Sequence, residues 1–208
     1  LHAQNLVNET QEQKDKRMEW FHKAKLGIFI HWGVYAVKGV SESWSFYNKY
    51  LPHDEYMKQC EGFTASKYDP KAWVELIKES GAQYTVLTTK HHDGVALWDT
   101  KQNGISVVKN TPAKRDLVTP FVNEVRKAGL RLGLYYSLPD WSHPDYPNMT
   151  RTDVRYKDDP KRWDDFCKFN FGQLKELNTT YKPDLYWFDG DWEMSAETWR
   201  AKEIMQLL

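Results

Sequence analysis

The sequence contains little cysteine, no long apolar run and no excess of charge of either sign. Its two cysteines, Cys60 and Cys167, belong to no CxxC motif or mixed Cys/His cluster, so a structural zinc site is not expected. Lys plus Arg and Asp plus Glu both number 29, and this balance lacks the basic excess on which nucleic-acid binding depends. No apolar stretch approaches the roughly 18 residues that a membrane-spanning helix requires. These absences predict a chain that neither binds nucleic acid nor spans a membrane.

Aromatic residues, in contrast, are abundant, with 10 Trp, 12 Tyr and 9 Phe. Such side chains bury large areas, so a chain this rich in them is not intrinsically disordered. The length of 208 residues suffices for a sizeable core in one or two domains. Much of the aromatic surface is therefore expected in the core, although tryptophan also suits stacking on the faces of sugars and bases.

The N-terminal segment is polar and carries no strand pattern. We predict an arm or a first helix over 1–19 and the N-terminal half of a catalytic (β/α)8-like barrel over 20–208. The first residues fit the trailing edge of a signal peptide removed after Ala3. This predicts an exported protein, whether secreted, periplasmic or lysosomal.

Short apolar runs alternate with amphipathic segments along the rest of the chain. We predict strands over 26–31, 84–89, 130–136 and 184–189, and helices over 69–81, 116–128, 159–177 and 195–208. Asp69 and Asp159 each precede a proline, which is typical of a helix N-terminus. Trp73, Leu76 and Ile77 form the apolar stripe of the first of these helices. Strands that alternate with helices indicate a parallel sheet, and we expect its first strand to be buried.

Two α/β architectures fit this alternation, a doubly wound sheet and a (β/α)8 barrel. A doubly wound sheet usually has a glycine-rich phosphate turn after its first strand, whereas here that strand ends in His31-Trp32-Gly33. Polar or aromatic residues follow every strand, as in barrels, whose catalytic groups collect at the carboxyl ends of the strands. We therefore predict a (β/α)8-type, TIM-like barrel. Because a complete barrel takes roughly 250 residues, we expect this chain to hold about its first four βα units.

Asp189 ends the apolar run of the fourth strand. Pleat alternation places it on the same face as Leu185 and Trp187. A carboxylate at this point could instead cap the next helix, but Asp191 and Ser195 lie closer to that helix. The sequence therefore favours a site carboxylate at the rim of the sheet.

Three histidines also follow strands, namely His31 and the adjacent pair His91 and His92. Adjacent side chains diverge on a regular strand, so the pair reaches one pocket only if the strand is interrupted, which Gly94 permits. Histidine can donate to hydroxyls, act as a base or bind a metal. Three functions therefore remain open: a sugar hydrolase, a non-catalytic sugar-binding barrel, and a metal-dependent hydrolase that uses the three histidines with Asp189.

Aromatic residues crowd the same strand ends and favour a sugar ligand. They are Trp32, Trp44, Trp98, Tyr135, Trp141, Trp187 and Trp192. A pocket of this kind offers polar groups to hydroxyls and apolar faces to a sugar ring. We expect about half of these residues to be purely structural.

Five short motifs point to a family when they are taken together. They are Phe29-Ile-His-Trp-Gly33, Thr88-Thr-Lys-His-His-Asp-Gly94, Lys114-Arg-Asp-Leu117, Leu134-Tyr-Tyr-Ser137 and Leu185-Tyr-Trp-Phe-Asp-Gly190. In this order they resemble the α-L-fucosidases of glycoside hydrolase family 29. The resemblance implies a (β/α)8-like catalytic domain followed by a β-sandwich, which we expect outside residues 1–208. It also implies retaining hydrolysis of terminal α-L-fucose from glycans or oligosaccharides, without a cofactor.

The resemblance also implies roles for individual residues. Asp189 matches the family's nucleophile, and Trp187 its wall against the methyl group of the sugar. The matches to fucose-contacting positions are His31, His91, His92 and Tyr135. Glu42 and Trp44 match a Glu-Trp pair of the family. In this sequence Ser43 separates them, so Glu42 lies one residue out of register. The family's general acid/base lies beyond the nucleophile and is not assigned here, so we expect residues 1–208 by themselves to be inactive.

Overall fold

Four parallel strands form one sheet in the computed structural model, which describes residues 8–208. The strands are β1 (Gly27–Ile30), β2 (Tyr84–Lys90), β3 (Arg131–Ser137) and β4 (Leu185–Asp189). They lie in sequence order, and each pairs in parallel with the next. The order of these four strands does not reverse, whereas a doubly wound sheet has a switch point. The predicted α/β class with a parallel sheet is confirmed.

Helices connect the strands and cover the sheet. The longer ones are α1 (Gln11–Ala24), α5 (Pro70–Glu79), α7 (Val118–Lys127), α8 (Pro160–Tyr181) and α9 (Ala201–Leu207). The shorter ones are α2 (Trp44–Tyr47), α3 (His53–Met57), α4 (Gln59–Gly62) and α6 (Val107–Asn110), with 3-10 turns at Val34–Ala36 and Asp191–Glu193. No helix within residues 8–208 is both long and apolar enough to cross a membrane.

The first helix continues through residue 19, where the sequence suggested a boundary. Trp20 and Phe21 lie in its last turns and pack against Tyr84 of β2, with ring centroids 6.1 and 5.5 Å away. The helix thereby joins the domain packing. The first seven residues of the predicted arm, including Ala3, lie outside the described residues.

Both aspartates that were predicted to start helices do so. Asp69 accepts a hydrogen bond from the Ala72 amide at 3.0 Å, and Asp159 accepts one from the Arg162 amide at 3.1 Å. Each bond satisfies a backbone donor that the helix leaves free, and such a cap stabilises a helix by about 0.5–2 kcal/mol.

The predicted apolar stripe of α5 is wrong at one position. Leu76 is 65% exposed, whereas Val74 and Ile77 are buried. Residues 74 and 76 lie about 200° apart around a helix, so they cannot face the same core. The packing selects the face of Val74, because α5 packs against α7 and Val74 lies in the buried core.

The expectation that the first strand is buried is also wrong. Phe29 is 40% exposed and Leu26 is 45% exposed. Within residues 8–208 the strand has one neighbour, β2, and the face that carries Phe29 is open. Its counterpart at the other edge of the sheet is Trp187 of β4, which is 53% exposed.

The sheet is strongly curved. In a flat sheet, strands β1 and β4 would lie about 14 Å apart, because three spacings of almost 5 Å separate them. The rings of Phe29 and Trp187 nevertheless meet edge to face, with centroids 5.4 Å apart. The inner face of the sheet is therefore concave, and the side chains at the carboxyl ends of the strands converge above it. Both cysteines, Cys60 and Cys167, are buried and unpaired.

Candidate active site

Asp189 lies among polar groups at the carboxyl end of β4. Its Oδ2 accepts a hydrogen bond from the Tyr135 hydroxyl at 2.5 Å and lies 3.7 Å from Nε2 of His92. Its Oδ1 accepts the amide of Gly190 at 2.8 Å, and the positive φ of 82° at that glycine turns the chain out of the strand. The carboxylate therefore makes no cap for α9. It is one quarter exposed and so remains open to a ligand.

The adjacent histidines reach Asp189 because β2 is irregular at its end. The register of its pairing with β3 shifts between Thr88 and Lys90, and Gly94 turns the chain with a φ of 78°. The rings of His91 and His92 consequently lie side by side, with centroids 4.4 Å apart. The interruption brings both rings into one pocket.

Both of these imidazoles are buried, and each has a serine hydroxyl at its Nδ1. Ser43 lies 2.5 Å from Nδ1 of His91, and Ser137 lies 2.6 Å from Nδ1 of His92. Burial lowers the pKa of both histidines, that of His92 to about 4. Both rings are therefore neutral near pH 7, and Nε2 of His92 has no partner among the described residues.

His31 and Glu42 lie at the more exposed rim of the same pocket. Nδ1 of His31 is 3.7 Å from Oε1 of Glu42, and their side chains are 39% and 32% exposed. The ring of His31 lies 4.9 Å from that of His91 and 5.8 Å from that of Tyr135. The structure thus brings together the polar residues that the sequence singled out.

Aromatic rings line two sides of the pocket. On one side, the Trp44 ring lies 5.7 Å from that of His92 and stacks at 6.3 Å on Trp192, which is 59% exposed. On the other side, Phe29 packs against Trp187 and against Tyr135 at 5.8 Å. Phe29 was not singled out from the sequence. It could have been predicted, because pleat alternation places Phe29 on the same face of the strand as His31.

Several aromatic residues near the strand ends are structural instead. Trp32 stacks on Tyr68 at 5.1 Å, away from the pocket. Trp98 is buried and donates its indole hydrogen to Glu176 at 3.0 Å. Trp141 is fully buried and packs behind the site.

His91, His92 and Asp189 also form a group of possible metal ligands. One ligand atom from each lies within 4.8 Å of the others. The fourth residue of the predicted metal set, His31, does not belong to this group. Because serine hydroxyls occupy both Nδ1 atoms, only the Nε2 atoms would be free to bind a cation.

The chemistry of this pocket suits a polyhydroxylated ring with an apolar patch. The Asp189 carboxylate lies beside the buried imidazoles of His91 and His92 and the Tyr135 hydroxyl, and the exposed aromatic side chains of Trp187 and Trp192 border this group. Sites for small ligands commonly combine apolar walls with a few converging polar groups. A carboxylate at the end of a strand can serve as a nucleophile or a base.

The sequence of this chain is similar to those of known proteins. The family model for alpha-L-fucosidase matches residues 2–208. Tissue alpha-L-fucosidase of Bos taurus is 33% identical over 205 residues, which cover 91% of this chain and 42% of that protein. Alpha-L-fucosidase of Branchiostoma floridae is 35% identical over 210 residues, which cover 91% of this chain and 44% of that protein. The chain thus spans less than half the length of these relatives.

Solved structures agree with these matches. Alpha-L-fucosidase isoenzyme 1 from Paenibacillus thiaminolyticus superposes with a TM-score of 0.84 at 39% identity, covering 92% of this chain and 47% of that chain. A GH29 alpha-L-fucosidase from Bacteroides thetaiotaomicron, trapped as a covalent intermediate with 2-fluoro-fucosyl fluoride, gives a TM-score of 0.80 at 32% identity, covering 100% of this chain and 50% of that chain.

Proposed function

Because this chain belongs to the α-L-fucosidase family, glycoside hydrolase family 29, we propose that the full-length protein is a retaining exo-α-L-fucosidase with Asp189 as its nucleophile. It releases terminal α-L-fucose from fucosylated glycans or oligosaccharides. The observation that carries the proposal is the Asp189 carboxylate, held at a strand end by Tyr135 and open to the pocket. A covalent intermediate was trapped in a structural relative, which supports the same route here.

The nucleophile needs an oriented carboxylate and a partner acid. The hydrogen bonds from Tyr135 and Gly190 fix both oxygens of Asp189, so the attacking lone pair is directed without reorganisation. A retaining glycosidase also needs a second carboxyl about 5–5.5 Å from the first to protonate the leaving oxygen. We propose that this acid/base comes from a part of the protein outside residues 1–208.

The remaining pocket residues recognise the sugar. His31, His91, His92, Glu42 and Trp44 bind its hydroxyl groups. The methyl group of fucose packs on the exposed wall formed by Phe29 and Trp187, where burial of one methyl group contributes about 0.8 kcal/mol. Hydrogen bonds that strengthen as charge develops on the sugar ring contribute to the rate.

We propose that the sheet is part of a (β/α)8 barrel. The sequential strand order and the strong curvature that brings Phe29 to Trp187 both support closure. Further strands beside β1 and β4 would complete the concave face on which the site lies.

The direct test removes the nucleophile in the full-length protein. Asp189→Gly should lower kcat on an aryl α-L-fucoside by about 10³-fold or more, because the covalent step is lost. Added azide should restore turnover by attacking from the vacated side, with the aryl alcohol leaving, and should give the inverted fucosyl azide. The matched control is Asp191→Gly, two residues away and exposed, which should keep wild-type turnover. Near-wild-type activity of Asp189→Gly would refute the assignment.

The group formed by His91, His92 and Asp189 supports one alternative, a metal-dependent hydrolase. A chelator separates the two functions. A fucosidase that uses the proposed route keeps its activity in excess chelator. If the chelator abolishes activity and a divalent cation restores it, His91, His92 and Asp189 are metal ligands and the protein is a metal-dependent hydrolase.

A further inference from the structure

Lys90, at the carboxyl end of β2, is fully buried although it carries a charge, and the proposed mechanism does not use it. Its Nζ donates to the Tyr136 hydroxyl at 3.0 Å and lies 3.8 Å from Oδ2 of Asp140. Burial lowers the pKa of this ammonium group to about 8, so it remains largely charged at neutral pH. Removing a charge from water costs several kcal/mol, so a buried lysine calls for a structural reason.

Asp140 joins the loop after β3 to the loop after β2. Its Oδ1 accepts hydrogen bonds from the amides of Ser142 at 3.1 Å and His143 at 2.9 Å. The carboxylate also packs against Gly94, where an added Cβ would lie 2.3 Å from Oδ1. The aspartate is therefore fixed in its own loop, and its second oxygen faces Lys90.

The two residues that flank Asp140 both hold His92. The amide of Trp141 donates to the His92 carbonyl at 2.8 Å. On the other flank, the carbonyl of Pro139 accepts the hydroxyl of Ser137 at 2.6 Å, and Ser137 in turn contacts Nδ1 of His92. Any shift of Asp140 would therefore move both the backbone and the side-chain support of His92.

The same bonds determine which nitrogen of His92 carries the hydrogen. A serine hydroxyl has one hydrogen, and Ser137 gives it to the Pro139 carbonyl. Its oxygen must then accept from Nδ1–H of His92, so in the neutral ring Nε2 presents a lone pair. Nε2 is buried, has no protein partner in the described residues and lies 3.7 Å from Oδ2 of Asp189. A ligand group that reaches Nε2 must therefore donate a hydrogen, as a hydroxyl does.

We propose that Lys90 and Asp140 are positioning residues that hold His92 as the Nδ1–H tautomer, with Nε2 accepting a hydrogen bond from a substrate hydroxyl beside Asp189. The identification of this donor as a substrate hydroxyl rests on the proposed function. The tautomer and its support rest on the hydrogen bonds alone.

The charge of Lys90 contributes to the same arrangement. The charged or titratable groups that face His92 are Asp189 from β4, Lys90 from β2, and the neighbouring rings of His31 and His91. Of these, Asp189 raises the pKa of His92, whereas Lys90 and His31 lower it, in addition to the larger effect of burial. Loss of the ammonium group should therefore raise the pKa of His92 and allow Nε2 to be protonated at higher pH.

The test compares Lys90→Met with wild type in the full-length protein. Long-range proton–nitrogen spectra of ¹⁵N-histidine-labelled protein, with His92 identified by the signal absent in His92→Gln, should show the Nδ1–H tautomer between pH 5 and 8. Lys90→Met should raise the pKa of His92, because the like charge that lowers it is removed. The acid limb of kcat/KM against pH should shift to higher pH in the same variant. Lys71→Met, which removes an exposed ammonium group, should change neither.

Two results would overturn the proposal. One is an Nε2–H tautomer in the wild-type protein. The other is a Lys90→Met variant in which kcat/KM falls equally at every pH while the His92 signals stay unchanged, which describes a purely structural lysine. If Lys90→Met does not fold, Asp140→Asn takes its place. In the same spectra this variant should show a smaller fraction of the Nδ1–H tautomer of His92. A wild-type protein that hydrolyses no α-L-fucoside refutes the proposed function, while the spectra still test the tautomer.

Discussion

The two inner strands of the sheet and its two outer strands differ in what they bury. In β2 and β3, every residue but the first is buried. In β1 and β4, no residue is fully buried, and the most exposed side chains are Phe29 and Trp187. Both of these lie on the concave face, close to Asp189. The inner strands thus stabilise the fold, whereas the outer strands leave apolar faces open for a ligand.

The inner strands also use polar side chains to tie the sheet together. Threonine hydroxyls of β2 donate to backbone carbonyls of both neighbours: Thr85 to Ile28 at 2.9 Å, Thr88 to Ile30 at 3.1 Å and Thr89 to Tyr135 at 2.6 Å. Each such bond contributes about 1 kcal/mol when it is buried. The sheet can therefore hold an irregular strand end, with its two histidines, without losing its pairing.

Substitution of an inner apolar residue should give the largest loss of stability. Leu134 of β3 is fully buried, and Leu134→Ala should lower the free energy of unfolding by about 2–5 kcal/mol, because it removes apolar contact and leaves a cavity. Denaturant titration of the full-length protein measures the change. A loss below 1 kcal/mol would mean that the inner strands are not the stabilising part of the sheet.

The hydroxyl of Tyr135 should matter for activity more than for stability. Tyr135→Phe removes the 2.5 Å bond to Asp189, and a hydrogen bond to a charged group is worth about 1.5–3 kcal/mol, so kcat/KM should fall by about 10- to 100-fold. Tyr136→Phe is the comparison on the same strand, and its kinetic loss should be the smaller one, since its hydroxyl reaches the site only through Lys90. Its hydroxyl binds Lys90, Asn170 and Gln173 within the core, so this variant should lose stability. If kcat/KM falls equally in both variants, the Tyr135 hydroxyl has no specific role in catalysis.

Much of the fold follows from local sequence signals. The strands appear as short apolar runs, and the caps Asp69 and Asp159 mark helix starts, because these preferences act over a few residues. The exposure of Leu76 and Phe29 could not be read in this way. Whether an apolar side chain is buried depends on which elements lie opposite it, and several faces of a helix or strand can satisfy the same pattern.

In the candidate site, too, some residues could be predicted from the sequence and others could not. Asp189 and the histidines are predictable because the ends of parallel strands meet at one edge of a sheet. Their supports are not predictable. Ser43 and Ser137 lie 48 and 45 residues from the histidines that they contact, and serine is too common to mark such a role. The buried Lys90 contradicts the usual exposure of lysine, and only the tertiary structure shows its partner.

An outer-strand aromatic residue should show the reverse of the inner-strand behaviour. Phe29→Ala should lower kcat/KM on an α-L-fucoside by about 2- to 4-fold, because the methyl group of the sugar loses part of its wall. Its cost in unfolding free energy should stay below about 1.5 kcal/mol, since the ring is already 40% exposed. A substrate in which hydrogen replaces the methyl group is the control. If Phe29→Ala impairs hydrolysis of that substrate equally, the ring does not contact the methyl group.

The smallest change in stability is expected at Leu76, the exposed apolar residue of α5. This position extends the comparison of buried and exposed side chains from the strands to a helix. Leu76→Ala should change the free energy of unfolding by less than about 0.5 kcal/mol, because the side chain is 65% exposed and alanine has the higher helix propensity. Ile77→Ala, on the next residue, should cost about 2–4 kcal/mol, because that side chain is 4% exposed within the core. The two variants share a helix and remove side chains of equal size, so their difference measures mainly burial, with a smaller contribution from helix propensity. Comparable losses at both positions would show that a further surface covers Leu76 in the full-length protein.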